Sequence, residues 1–338
     1  MRRYLIKALR LLPLALGAAL LTFVIRQLGV HQIGVMLARL RWTFLPVLAI
    51  YAAHQTARAA ALCFCVTRRH ALRFRDALWI RLAGEAVEFL TFTGPLLSEP
   101  TKGWLLQQRG HDRATGLACT LTEYFSSTVV ASMTAVVGTA YVLAALRPIG
   151  PVRGVAIGVL ISMSVFAALA VLAVAMRRPL IGPLVRAFMR RPTPNLDTIE
   201  ETLMQTAHDA PRRLLVILSL ELVAQACLGF ELRTLLCGLG LPCAFVGSAL
   251  MEGTMKFMNA GAFFIPAQVG VAEGSYALIF GLFGLPAAAG AAIGLARHLR
   301  SLATALAGLV VLVALRCKSR RADGPRVAGG AAMTPTGC

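Results

Sequence analysis

Long apolar runs alternate with short basic loops along almost the whole chain. The runs end at Ile25 and then cover Trp42–Val66, Ala77–Leu106, Gly116–Leu146, Val155–Met176, Leu214–Leu239, Phe245–Phe283 and Ala287–Leu315. Most reach or approach the ~20 residues an α-helix needs to cross a bilayer. The pattern predicts an all-α, polytopic integral membrane protein with about six full spans. Two of the runs are interrupted. Residues 84–104, GEAVEFLTFTGPLLSEPTKGW, carry three glutamates and a Gly-Pro break, and residues 245–283 carry Pro266 among many glycines. Broken helix and ionisable groups at membrane depth are tolerated only inside protein or around a watery cavity. These two stretches therefore read as broken hairpins around which the other helices form a scaffold.

The loops set the direction of each run. Arg and Lys gather in the N-terminus, residues 67–75, the linker 177–213 and the tail 317–338, while the 147–153 and 238–243 loops carry two and none. Positive loops stay on the cytoplasmic side, which places both termini there, in a bacterial inner membrane. The basic start before the first run resembles a signal peptide but reads as an uncleaved span. The 26–41 segment, with three Arg, fits this scheme least well and is expected as an external loop. With these signs, 77–107 begins and ends inside and 244–285 begins and ends outside, so the two hairpins enter from opposite faces. Units 42–146 and 214–316 are nearly equal in length and opposite in topology, the signature of an inverted-repeat transporter. The expected organisation is one transmembrane domain over 1–316. Its linker 177–213 holds Leu196, Ile199, Leu203 and Ala207 at the spacing of a surface helix, and a basic, disordered tail follows.

Composition agrees with this picture. Hydrophobic residues make up 57% of the 338 and charged ones 14%, with mean hydropathy +0.72. The net charge of +19 resides mostly in the loops, so it speaks for anionic headgroups and against nucleic acid. The eight cysteines show no CxxC or CxxH spacing, which predicts neither a disulfide nor a metal site. No nucleotide-binding GxxxxGK[ST] is present, and no cofactor is implied.

The acids carry more information. Of fifteen, eight lie in or at the ends of apolar runs: Glu85, Glu88, Glu99, Glu123, Glu221, Glu231, Glu252 and Glu273. In the first hairpin Glu85 and Glu88 share a helix face, and Arg81 stands four residues before Glu85. Gly94-Pro95 ends that arm. Ser98-Glu99-Pro100 reads as the capped start of a second half-helix with Lys102 one turn in, its positive end facing the membrane interior and suited to a phosphate or carboxylate. Glu99 falls at the tip. In the second hairpin Glu252 precedes Lys256 by four, the favourable order for an ion pair. Pro266, Gly270 and Glu273 form its break. Arg58, Arg297 and Arg300 lie within spans, where they either grip a lipid phosphate or neutralise the glutamates. His54 and His298 read as satisfied interior residues, and Trp42, Trp79 and Trp104 as interface residues.

PLLSEPTKGWLL (95–106) after GEAVEF (84–89), together with Pro266-x3-Gly270-x2-Glu273, resembles the membrane domain of the lysylphosphatidylglycerol synthase/flippase family, in its hopanoid-associated branch. The resemblance spans about residues 5–316. Many relatives have Pro-Gly-Gly-x-Gly-x-x-Glu at the second motif, where this chain has Ala267 and Gln268 in place of two glycines. The bifunctional members carry a soluble aminoacyl-transferase domain that these 338 residues do not contain, so the resemblance implies translocation of a lipid rather than lysyl transfer. It also implies that the two hairpins meet at a central cavity. The expected ligands are membrane lipids with a phosphate-bearing headgroup, and lipid-biosynthesis enzymes are the expected protein partners. Two alternatives stand beside flipping. A membrane-embedded lipid-modifying enzyme would need a nucleophile, metal or acid pair, for which the only candidates are Glu85 and Glu88. A non-transporting scaffold for lipid or hopanoid synthesis would gain nothing evident from buried charge.

Overall fold

The computed structural model describes residues 30–66, 71–91, 94–176, 211–242, 244–260 and 270–322. The first run, residues 177–210 of the linker, Pro266 with its neighbours, and the tail from 323 lie outside the described residues. Ten α-helices and no strand occur among the described ones. They are α1 (Val30–Leu40), α2 (Phe44–Cys65), α3 (Phe74–Leu90), α4 (Pro95–Gln107), α5 (Arg113–Tyr141), α6 (Pro151–Met176), α7 (Pro211–Gly238), α8 (Phe245–Ala260), α9 (Val271–Leu282) and α10 (Ala287–Ala322). A π-helical turn, Val142–Leu146, prolongs α5. Four segments, within α5 with its π turn, α6, α7 and α10, are long and apolar enough to cross a membrane. The all-α membrane class is thus as the apolar runs predict.

Helix ends follow local chemistry. Asp112 caps α5, its carboxylate accepting the Ala114 and Thr115 amides. Gly94, at φ 48°, precedes α4, whose first residue is Pro95. This half-helix starts four residues earlier than a Ser98 cap implies, because Pro95 fits the first turn and only glycine adopts the preceding conformation without strain. Ser98 is instead inside the helix and donates to the Gly84 carbonyl at 2.9 Å, joining the two arms. The 26–41 segment also differs from the expected loop. From Val30 it is helical, and Leu40 enters the core beside Val47, Leu232 and Leu235. At the far end, Cys237 is disulfide-bonded, against the expectation from spacing. It stands where the chain turns back after α7, a proximity that sequence spacing does not display.

The arms of the two hairpins are short. Helices α3 and α4 have 17 and 13 residues, and α8 and α9 have 16 and 12. All fall below the ~20 needed for a full crossing. Packing relates the two halves. Helix α2 lies on α7, α3 on α10 and α8 on α5, while α4 packs on α5 and α9 on α10. Exchanging α2, α3, α4 and α5 for α7, α8, α9 and α10 reproduces these contacts.

Small residues make the crossings close. Gly253 on α8 abuts the Thr134 carbonyl on α5, and Gly308 on α10 abuts the Leu82 carbonyl on α3, so neither place has room for a methyl group. Gly103 and Gly116 bring α4 against α5, and Gly290 and Gly294 bring α10 against α9. Helices in lipid gain no hydrophobic drive for association, and close backbone approach through small residues takes its place. Gly253→Ala and Gly308→Ala are each expected to destabilise the purified protein by roughly 1–3 kcal/mol through overpacking. Gly247→Ala, which meets nothing within 4 Å, should leave thermal unfolding in detergent unchanged. Equal melting of all three variants would contradict the packing.

Candidate functional site

Helix α2 brings one polar face into the protein. Tyr51, Gln55 and Arg58 recur at i, i+4 and i+7, with His54 beside them. His54 Nδ1 lies 2.9 Å from the Ala224 carbonyl of α7. Tyr51 donates to Glu85 at 2.5 Å, and Gln55 donates to the Tyr51 hydroxyl. These bonds tie α2 to α3 and α7 and set the position of Arg58 between them.

Glu123 of α5 is fully buried and gathers three cations. Arg58 reaches it at 2.6 Å, Lys102 at 3.1 Å and Arg81 at 3.3 Å. Arg81 also meets Glu85 at 3.6 Å, the i, i+4 pair seen in the sequence. Lys102 Nζ lies 2.7 Å from Glu99 as well. Helices α2, α3, α4 and α5 are thus joined through a single carboxylate.

The other half has a matching centre of opposite sign. Arg297 of α10 meets Glu252 at 2.6 Å and Glu231 at 3.2 Å, and donates to the Leu228 carbonyl and the Tyr276 hydroxyl. Arg300 donates to Glu231 at 2.5 Å and lies 3.7 Å from the centre of the Tyr51 ring, which links the halves by a cation–π contact. Lys256 completes this group, 3.4 Å from Glu252.

Between the two centres lies a polar cavity of about 490 Å³. Arg58, Arg81, Lys256, Arg297 and Arg300 line it, with Glu85, Glu88 and Glu252. Five cations against three carboxylates give its wall a positive excess. Gly94, at the start of α4, and Ala272, in the first turn of α9, also line it, so two helix N-termini reach the cavity. Tyr51, Tyr124, Tyr276, His54 and His298 supply further polar edges.

Of the residues singled out from sequence, Arg58, Glu85, Glu88, Glu252, Lys256, Arg297 and Arg300 come together around this space. Glu88 has no ion pair or hydrogen bond among the described residues and faces the cavity. Glu99 and Lys102 are buried behind the wall, where Lys102 holds both Glu99 and Glu123. Pro95 supplies the first residue of α4. Gly270, at φ 79°, opens α9, where Glu273 accepts the Gly270 amide at 2.8 Å and lies 3.4 Å from His298. Glu273 is thus a helix-starting residue one side chain from the cavity. Trp42 is largely exposed, and Trp104 is partly so. Sequence reasoning assigned no part to Tyr51, Tyr124 or Tyr276, since an aromatic in an apolar helix carries no signal by itself. The i, i+4, i+7 spacing of Tyr51, Gln55 and Arg58 is the signal that marks the first of them.

Residues 10–308 match the family described as the lysylphosphatidylglycerol synthase TM region. The chain belongs to this family. Membership connects it with a membrane lipid-related role, as the motifs at 84–106 and 266–273 imply. Neither the curated proteins nor the solved structures compared with it give a match.

Charge at this depth is stable only in company. Removing one partner of a buried pair typically costs about 3–5 kcal/mol, because the other charge is left uncompensated. Glu123→Gln should cost at least that much, since it strands parts of three cations. The expected result is loss of monodisperse protein in detergent, or a steep fall in its melting temperature. A wild-type melting curve would refute the role of Glu123 as the common anchor.

Proposed function

We propose that the protein moves the headgroup of a phosphate-bearing membrane lipid between leaflets, through the cavity between its two halves, while the tails stay in lipid. The observation that carries this is the cavity wall itself. It offers Arg58, Lys256, Arg297 and Arg300 with two helix N-termini, the groups that bind phosphate oxygens. Glu85, Glu88 and Glu252 on the same wall suit the cationic or hydroxyl parts of a headgroup. Further support comes from the paired packing of the halves and the short arms of both hairpins. Together with the loop charges, these fit an inverted repeat of units 42–146 and 214–316 in which α3–α4 and α8–α9 are re-entrant. In that arrangement the site sits near mid-membrane and opens to either face as one half rocks against the other.

The same loop charges support a bacterial inner membrane as its location, with both termini cytoplasmic. A reporter fused after Ala322 should be active only in its cytoplasmic form, and the opposite polarity would invert the scheme.

A lipid-modifying reaction would use Glu85 and Glu88, yet Glu85 is held by Tyr51 and Arg81, which favours positioning over acid–base work. Transport thus accounts for more of the cavity than chemistry does.

The test uses the cavity residues with the fewest structural duties. Glu88→Gln breaks no ion pair among the described residues, and Lys256→Gln leaves Glu252 with Arg297. Both variants should fold normally and lower the scrambling of a tail-labelled phospholipid in reconstituted vesicles by about tenfold or more, the effect of ~1.4 kcal/mol on the barrier. Unchanged scrambling by both would sink the proposal.

A further inference from the structure

The interior ion-pair system is unbalanced. Among the described residues the interior holds the eight span glutamates but six Lys and Arg side chains in ion pairs with them, namely Arg58, Arg81, Lys102, Lys256, Arg297 and Arg300. An unpaired carboxylate in a low-dielectric interior takes up a proton rather than remain charged. Glu221 of α7 combines a single, shared cation with the absence of any hydrogen bond among the described residues. It is fully buried, and neither carboxylate oxygen has a hydrogen-bond partner among the described residues. Its one ion pair is with Arg58 Nε at 3.4 Å, and the same guanidinium lies 2.6 Å from Glu123.

The other candidates differ in a decisive way. Glu99 rests on Lys102, which does not line the cavity, so a ligand there cannot remove its cation. Glu88 faces the cavity directly and is open to it. Glu221 depends on one cation, and that cation is part of the cavity wall; Glu85 also leans on one wall cation, Arg81, but Tyr51 holds it, while Glu231 and Glu252 each have two. Glu123 keeps Arg81 and Lys102 whatever Arg58 does, whereas Glu221 keeps no other cation in an ion pair among the described residues.

We infer that Glu221 is a proton-binding site coupled to phosphate binding through Arg58. This rests on the transport reading and supplies its driving force. When a phosphate oxygen takes Arg58, the Glu221 carboxylate loses its counter-charge and accepts one proton from cavity water. When the phosphate leaves, Arg58 returns to Glu221 and the proton is released. One proton thus travels with each anionic headgroup, and the buried charge stays constant. The groups facing α7 are consistent with this. Helix α2 brings His54, bonded to a backbone carbonyl, and Arg58, while α5 brings Glu123 and the Ser127 hydroxyl. From α8 come Glu252 and Lys256, paired with each other. Arg297 and Arg300 of α10 hold Glu231, and α1 meets α7 through apolar Leu40. Ser127 and Gln225, the latter one turn from Glu221 on α7, both line the cavity and bring the carboxyl within one side chain of it.

The experiment has two arms on the full-length protein. In vesicles containing tail-labelled phosphatidylglycerol, an imposed gradient of about one pH unit should enrich the probe up to about tenfold in the leaflet away from the acid side, the limit for one proton per headgroup. Glu221→Gln should still scramble the probe but leave it equally distributed. Wild-type scrambling that ignores the gradient, or enrichment that survives E221Q, overturns the inference while leaving the transport reading intact. The second arm needs no transport and so separates the two failures. Infrared difference spectra of detergent-purified protein should gain a protonated-carboxyl band on addition of short-chain phosphatidylglycerol, absent in E221Q. No band, or a band raised by inorganic phosphate and not by the lipid, overturns the inference whether or not the protein scrambles. Where E221Q fails to fold, Glu221→Asp keeps the acid and should displace the band.

Discussion

A carboxylate inside a bilayer is stable only with a cation at contact distance, and Glu123 has three of them. Arg58 comes from α2, Arg81 from α3 and Lys102 from α4, so the position of each helix in the first half is referred to one point on α5. Small residues allow the same helices to approach: Gly103 and Gly116 where α4 crosses α5, and Gly84 where the Lys102 chain passes. The electrostatic centre and the close packing are one arrangement, since lysine and arginine reach Glu123 only because the backbones are near.

The second half solves the same problem with the signs exchanged. Arg297 is the central group and Glu231 and Glu252 are its partners, with the Tyr276 hydroxyl and the Leu228 carbonyl accepting further hydrogen bonds from it. Neither centre is neutral by itself. Contacts across the middle, Tyr51 with Glu85 and Arg300 over Tyr51, join them around the cavity. Polar groups that are fully paired rigidify a core. The groups left over, Glu88 facing open space and Glu221 sharing a guanidinium already engaged, are the ones on which the proposed response to a ligand rests.

Much of this was legible in the chain. Hydrophobic runs of bilayer length fixed the class, because no other fold satisfies the backbone in lipid. The helical spacings Arg81–Glu85 and Glu252–Lys256 named real pairs, since a helix places i and i+4 side by side. The Gly-Pro break at 94–95 marked the division between α3 and α4, although the helix begins at Pro95 rather than after Ser98. Motifs 84–106 and 266–273 pointed to the family to which the chain belongs.

Partnership over long separations was not legible. Glu99 looked like the tip residue of a hairpin, and only the packing of α4 against α5 turned it toward Lys102 and away from the cavity. Arg58 could have faced a ligand or a glutamate; the structure sets it at the cavity wall and pairs it with Glu123, some sixty-five residues on, and Glu221 far beyond. Tyr51 and Tyr276 acquired meaning only beside Glu85 and Arg297. Sequence determined which residues must be buried and which could not be buried alone, because hydropathy and charge are local properties. Which charge answers which, and which one is left waiting at the cavity, was decided by the tertiary structure, because counter-charges come from other helices and distance in space is not written in the order of the chain.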